Sequence, residues 1–145
     1  MAFLESLDIS ASGLTAQRLR MDVISENIAN IDTTRTASGE PYRRRYVIFQ
    51  QQNSKPFSEY LNKSISGTAG SGVEVTDIAE DETAFKLKYD PTNPDADEYG
   101  YVSMPNVDLV TEMVDMMSAT RSYEANVTAI NATKSLAMTA MEIGK

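Results

Sequence analysis

Between Phe3 and about Ala29 the chain has no proline and one glycine, Gly13, and its apolar residues return on a helical period. Leu7, Leu14, Met21 and Ile28 fall every seven residues, with Leu4, Ala11, Ile24 and Ile31 beside them. This spacing predicts an amphipathic helix with one apolar stripe. Asp8 or Ser10 is placed to cap an N-terminal turn, which leaves the first few residues loose.

A longer periodic stretch begins at about Val107 or Asp108, capped by Asn106 or Asp108. It has no proline after Pro105 and no glycine before Gly144. Leu109, Met116, Tyr123, Ile130 and Ala137 form one row, and Met113, Thr120, Val127, Lys134 and Met141 form another. A 3.5-residue repeat held this long predicts coiled-coil-like packing. Val110, Val114 and Met117 widen the stripe over the first turns. Such a helix spans roughly 50 Å, whereas a globule of this chain length is roughly 35–40 Å across. The first helix covers about 40 Å of the stripe as an antiparallel mate. The remaining apolar surface calls for a partner outside the chain.

Between the helices, Asn30 to Tyr42 has loop composition. Tyr42 to Phe49, Val73 to Ile78 and Phe85 to Tyr89 read as strands. The tight spacing across Glu80, Asp81 and Glu82 predicts a hairpin joining the last two. Gln50 to Gly72 is polar and reads as a flexible excursion, with one short helical turn around Phe57 to Leu61. Asp90 to Gly100, DPTNPDADEYG, is turn chemistry throughout. The expected fold is mainly α with a small β insert: long terminal helices packed as a coiled-coil-like pair, with a short antiparallel β segment and loops between them. It divides into an N-terminal helix (1–31), a β and loop segment (32–105, flexible over 50–72) and a C-terminal helix (106–145).

Composition narrows the function. The chain contains no Cys and no His, which removes thiolate chemistry, disulfides, Cys/His zinc sites and imidazole catalysis. The net charge is −8, and an acidic chain does not suit nucleic acid. Residues 1–50 are neutral overall, while residues 51–100 carry ten acids against four bases. Near-neutral ends can pack together, or against copies of themselves, without much repulsion. The N-terminus lacks the features of a secretory signal, and no stretch approaches a membrane span. The expectation is a soluble chain, with no lipid contact of its own and no cofactor or metal.

Candidate chemical motifs have plainer readings. GTAGSG (Gly67 to Gly72) is followed by a predicted strand rather than a helix and lacks the Lys-Ser/Thr of a phosphate loop, so it reads as a linker. Asp95, Asp97 and Gly100 match fragments of a calcium loop, but Tyr99 and Asn106 occupy ligand positions, so turn formation is the reading. Glu80, Asp81 and Glu82 on a turn point apart into water. Arg43, Arg44 and Arg45 alternate faces on a strand and read as partners of the acidic middle or of an acidic neighbour. Three Asn-X-Ser/Thr triplets are coincidental in a chain without a secretory signal. Six of the eight Met lie from Met104 onward, as a core stripe or a surface that repacks against different neighbours.

Three stretches, SASGLTAQRLRMDVISENIANIDTTRT, GEPYRRRYVIF and GYVSMPNVDLVTEMVDMMSATRSYEANVTAINATKS, resemble the bacterial flagellar basal-body rod proteins. The short middle segment is similar to that of the proximal rod type. The resemblance implies a structural subunit in the periplasm-spanning rod of the basal body. It implies export by the flagellar type III apparatus without a cleaved signal. It also implies partners that are copies of itself and other rod subunits, in a helical tube that transmits torque. Two other classes fit less of the chain: a soluble coiled-coil adaptor, and an enzyme using only carboxylates, Lys or Tyr.

On this reading the heptad faces are the assembly surfaces: Leu7, Leu14, Met21 and Ile28 on the first helix, and Leu109, Met113, Met116, Tyr123, Val127, Ile130 and Met141 on the last. Asn27 and Asn30, in SENIANIDTT, are the expected turn residues, because Asn tolerates the left-handed conformation that ends helices.

Overall fold

A computed structural model describes residues 2–52 and 72–143. Helix α1 (Ala2–Ala29) and helix α2 (Leu109–Ile143) are the two long elements. Between them lie strands β1 (Arg45–Gln51), β2 (Val73–Glu80), β3 (Lys86–Tyr89) and β4 (Tyr101–Met104). Helix α1 starts well before Asp8 and Ser10, which therefore lie inside it rather than capping it. No residue before them breaks a helix, and Glu5 in the first turn suits the positive end of the helix dipole.

The helices pack antiparallel, and four contacts fix their register. Gly13 faces Asn126 so closely that a Cβ on Gly13 would sit 3.2 Å from the Asn126 amide nitrogen. The Thr120 hydroxyl lies 3.6 Å from the Met21 thioether. Arg20 pairs with Asp115 at 3.1 Å, and Asn27 bonds Glu112 at 3.0 Å. Where the helices meet, the buried residues are small or polar: Ala16 and Asn27 on α1, Glu112 and Ala119 on α2, while the buried Val23 and Ile24 line a space shared with Val47 and Phe49. Small residues let the two backbones approach closely, and the bulky heptad residues are displaced to the seam's edges. Leu7, Leu14, Met21, Ile28, Met116, Tyr123 and Ile130 are half-buried there.

The β pairing differs from expectation. Strand β2 pairs with β1, from Arg45 opposite Glu80 to Gln51 opposite Val73, with an irregularity between Ile48 and Phe49. Strand β3 pairs with β4, a segment whose sequence carries no strand pattern of its own. No hairpin joins β2 to β3, so Glu80, Asp81 and Glu82 lie on a crossing between two small sheets. The physical reason is local. The Asp81 N–H donates to the Arg44 carbonyl at 2.8 Å, which continues β2 along β1 instead of turning it back. The turn-rich Asp90–Gly100 segment closes β3 onto β4, and Gly100 there has φ +81°, a conformation that favours glycine. The predicted first strand also begins three residues late, because Tyr42 is buried instead of entering the ladder.

The β1–β2 hairpin lies along α1. At one end Ser12 Oγ accepts from the Val73 N–H at 3.0 Å, and at the other Asn27 Oδ1 accepts from the Arg45 N–H at 2.9 Å. Val47, Phe49, Val75 and Ala79 are its half-buried residues. Helix α1 is therefore held between α2 and the hairpin. The helical turn expected at Phe57 to Leu61 and the GTAGSG stretch up to Ser71 lie outside the described residues.

Of the two caps expected for α2, Asp108 serves. Its Oδ2 accepts from the Thr111 N–H at 3.1 Å and the Thr111 hydroxyl at 2.7 Å. The Thr111 hydroxyl first, and its backbone N–H second, hold the Asp108 carboxyl below the ordinary carboxylate range. A depressed folded value contributes stability that is fully present above the unfolded value, about 3.9. That stability is lost as pH falls through the folded value. Asp108→Asn keeps the acceptor and removes the titration. Its melting temperature should therefore fall less steeply than that of the parent chain below about pH 4. Thermal melts at pH 2 to 7 check this, and parallel curves would remove Asp108 from the acid response. Asp81 and Asp90, also held below their ordinary values by Thr83 and Thr92, keep part of the slope.

Candidate assembly interface

Asn27 is completely buried and makes four hydrogen bonds, the full complement of a side-chain amide. Its Nδ2 donates to the Arg45 carbonyl at 2.8 Å and to Glu112 Oε2 at 3.0 Å. Its Oδ1 accepts from the Tyr42 hydroxyl at 3.0 Å and from the Arg45 N–H at 2.9 Å. The residue joins α1 to β1 and to α2. It is not a turn residue, because α1 continues past it to Ala29.

Glu112, also wholly buried, accepts from Arg44 Nε at 2.6 Å on its other oxygen. Arg44 reaches Asp115 at 3.3 Å and Asp81 at 3.9 Å, and Asp115 holds Arg20 of α1 at 3.1 Å. The Arg44 backbone N–H donates to Asn106 Oδ1 at 2.8 Å. Asn106 Nδ2 in turn donates to the Asp81 carbonyl at 3.0 Å. Asn106 is thus a bracket for the β crossing, not the cap of α2. Burial is the largest influence on Tyr42 and raises its phenol above the ordinary value, so it remains a donor to Asn27 at neutral pH. Six segments meet at this joint with their polar groups paired.

Asn30 ends α1 without a left-handed residue. Among the described residues only Gly39 and Gly100 have positive φ. The Asn30 N–H continues the helix to the Glu26 carbonyl at 3.1 Å, and its side-chain amide bonds that same carbonyl at 2.9 Å. The Thr33 hydroxyl donates to Asn30 Oδ1 at 3.1 Å. The Glu26 carbonyl thus accepts from both the backbone and the side chain of Asn30, and the helix ends with no residue at positive φ.

The three arginines divide their work. Arg43 lies over the Phe85 ring at 4.3 Å, Arg44 anchors the joint, and Arg45 reaches Glu80 at 3.3 Å and Glu26 at 3.9 Å. In the acidic turn, Asp97 Oδ1 accepts from the Tyr99 and Tyr101 N–H groups at 2.9 and 2.8 Å. Asp95 accepts from the Thr34 hydroxyl at 2.7 Å and faces Arg35 at 3.7 Å. These carboxylates are folded into the turn and its tie to the loop after α1.

The heptad residues gather on one flank of the helix pair. The Met21–Thr120 contact puts the two rows on the same side. Leu14 and Ile28 lie one heptad from Met21 on α1, and Met113 and Val127 one heptad from Thr120 on α2. Ser12, which meets the hairpin, lies two residues and so more than half a turn from Leu14. The hairpin and this flank therefore occupy opposite sides of α1. Met113, Val127 and Met141 are 54%, 36% and 74% exposed. The outcome is a shallow apolar trough between two helices, with large side chains half-buried along its floor and open along its α2 rim. No helix among the described residues is long and apolar enough to cross a membrane.

Two family models match the ends of the chain. The one described as "Flagella basal body rod protein" matches residues 7–35, and "Flagellar basal body rod FlgEFG protein C-terminal" matches residues 99–143. Relatives match over the whole length. The flagellar basal-body rod protein FlgC of Bacillus subtilis is 57% identical, covering 100% of this chain and 100% of the relative. The FlgC protein of Borreliella burgdorferi is 48% identical over 99% of this chain and 98% of its own. That of Escherichia coli O157:H7 is 45% identical over 100% of both.

Proposed function

The chain belongs to the FlgC family of flagellar basal-body rod proteins and is a structural rod subunit, and from this premise we propose that it polymerises through the flank of its helix pair. The observation that carries the reading is the trough itself. Two heptad systems, one from each end of the chain, converge on one side and are left uncovered by the subunit's own hairpin. An apolar helical trough of this kind fits a helix of a neighbour. Copies of this chain and other rod subunits are the partners, in a helical shaft that spans the periplasm and carries torque from motor to hook. The polar joint suits a load-bearing part, since it ties the β arms to both helices through buried, directional bonds. Export through the flagellar type III apparatus belongs to the same reading. The adaptor reading accounts for the helices alone, and among the described residues the buried polar side chains of the joint are paired with one another rather than converging on an open site.

The test is sedimentation of the purified full-length chain over a wide concentration range. Species should grow without a fixed stoichiometry as concentration rises, because the trough is not filled within one subunit. A single sharp monomer or a closed dimer at every concentration would overturn polymerisation through this face.

A further inference from the structure

The outer face of the β3–β4 ribbon is exposed and aromatic. Leu87 lies opposite Ser103, and Tyr89 opposite Tyr101, so the four share one face. Leu87, Tyr89 and Tyr101 are 70%, 65% and 43% exposed. Lys86, on the opposite face, reaches back to the Val107 carbonyl at 2.7 Å. The two tyrosine rings meet edge to face, with centroids 5.3 Å apart and planes at 66°. Tyr89 is held from a second side by Gly100, where a Cβ would sit 3.0 Å from its ring. The rings are therefore fixed before any ligand arrives, which lowers the ordering cost of binding.

Beside this face lies an open hollow of about 400 Å³, where Tyr101 and Ser103 meet Thr34 and Arg35 of the loop after α1 and Asp95 and Asp97 of the acidic turn. Small-ligand sites run from about 300 to 1,000 Å³. Several polar groups here keep bonding capacity. The Arg35 side chain is 72% exposed and has one partner, Asp95, at 3.7 Å. Asp97 uses Oδ1 for two backbone N–H groups, while its Oδ2 and the Ser103 hydroxyl make no hydrogen bond among the described residues. An anion placed here meets two carboxylates, and a cation meets the guanidinium, so neither charge suits the hollow. A neutral polyhydroxylated ligand does, because each hydroxyl can donate to a carboxylate or accept from the guanidinium. We infer that the hollow and the aromatic face bind a neutral oligosaccharide, with the C–H face of one pyranose on Tyr101 and its hydroxyls on Arg35, Asp97 and Ser103. The electron-rich face of an aromatic ring attracts the weakly positive C–H groups of a sugar. Leu87 and Tyr89 continue the surface past the hollow, which suits a chain of rings over a single one. The site lies apart from the helix flank and does not depend on polymerisation through it.

Saturation-transfer NMR on the full-length chain reads weak sugar binding from the ligand's own signals, whatever the size of the protein species. Chitotetraose, cellotetraose and maltotetraose are offered at millimolar concentration. At least one should receive saturation on its ring C–H protons, and tetragalacturonate, an anionic counterpart, should receive several-fold less. Arg35→Met should weaken binding about tenfold, the loss expected for a hydrogen bond to a charged group. Its side chain is exposed, so the fold is spared. Tyr101→Ser should weaken binding at least as much, whereas Tyr46→Ser, a comparably exposed tyrosine on β1, should leave it unchanged. Absence of transfer to all three neutral tetrasaccharides would overturn the inference, as would equal transfer to tetragalacturonate. Transfer to triglycine in place of the sugars would mean a peptide site, and binding that Arg35→Met leaves unchanged would mean contact elsewhere on the chain. Either result also overturns it.

Discussion

Replacing Arg44 with methionine should destabilise the subunit by about 3–5 kcal/mol, the range for removing one partner of a buried ion pair. Methionine keeps much of the apolar stem, so the loss falls on charge rather than on packing. Glu112 would remain at zero exposure with only the Asn27 amide to satisfy it. Asp115 would keep Arg20 and so lose less. For a chain of this size the melting temperature should drop on the order of 10 °C. The double variant Arg44→Met/Glu112→Leu should recover most of it, because an apolar pair can replace a buried ion pair at little net cost. Asn27→Asp, nearly isosteric, should also be harmful. It loses both donated bonds and sets a second carboxylate against Glu112. The measurement is denaturant unfolding followed by helical signal. A single Arg44→Met variant within 1 kcal/mol of the parent, or a double variant worse than the single, would show that the pair does not hold the joint.

Nothing local in the sequence marks this joint. Asn27 lies 18 residues from Arg45 and 85 from Glu112, and Arg44 lies 68 from Glu112. Periodicity reports which residues share a face, not which polar residue on that face is buried. Glu112 sits in a helix that reads as solvated at every charge, and only its seven-residue spacing to Ala119 and Asn126 hints at a small, polar line. The helices, by contrast, are legible because apolar spacing and the absence of proline agree along each of them, with the Asp108 cap agreeing on α2 only. The heptad rows were legible as well, but not their position. A seam built on Gly13, Ala16 and Ala119 draws the backbones together and leaves Leu14, Met21, Met113 and Val127 at one edge. The sequence does not decide the strand pairing, because β2 is compatible with either neighbour and the deciding bonds, from Asp81 to Arg44 and from Asn106 to Asp81, are non-local. In β4, four residues with only Val102 buried carry too short an alternation to stand out.

Met113→Asp and Val127→Asp should abolish swimming while leaving the subunit folded. Both side chains are exposed in the single subunit, so its stability should change by no more than about 0.5 kcal/mol. On the proposed assembly the same positions would lie in a dry contact between helices. There an unpaired carboxylate costs several kcal/mol, and roughly 3 kcal/mol weakens one contact by more than 100-fold. Because every copy repeats the contact, the loss recurs at each step of polymerisation. Thr128→Asp supplies the contrast. It is one residue from Val127, is exposed, and lies about 100° away around α2, off the trough. Swimming-halo diameter at matched expression reads the assembly effect, and thermal melts of the purified subunits read the fold. The expected pattern is no halo for Met113→Asp and Val127→Asp, a near-normal halo for Thr128→Asp, and closely similar melts for all three. Full-sized halos from Met113→Asp and Val127→Asp would mean that the trough faces water in the rod. An equal loss from all three would mean that helix α2 tolerates no added charge anywhere, and would remove the trough as the particular site of assembly.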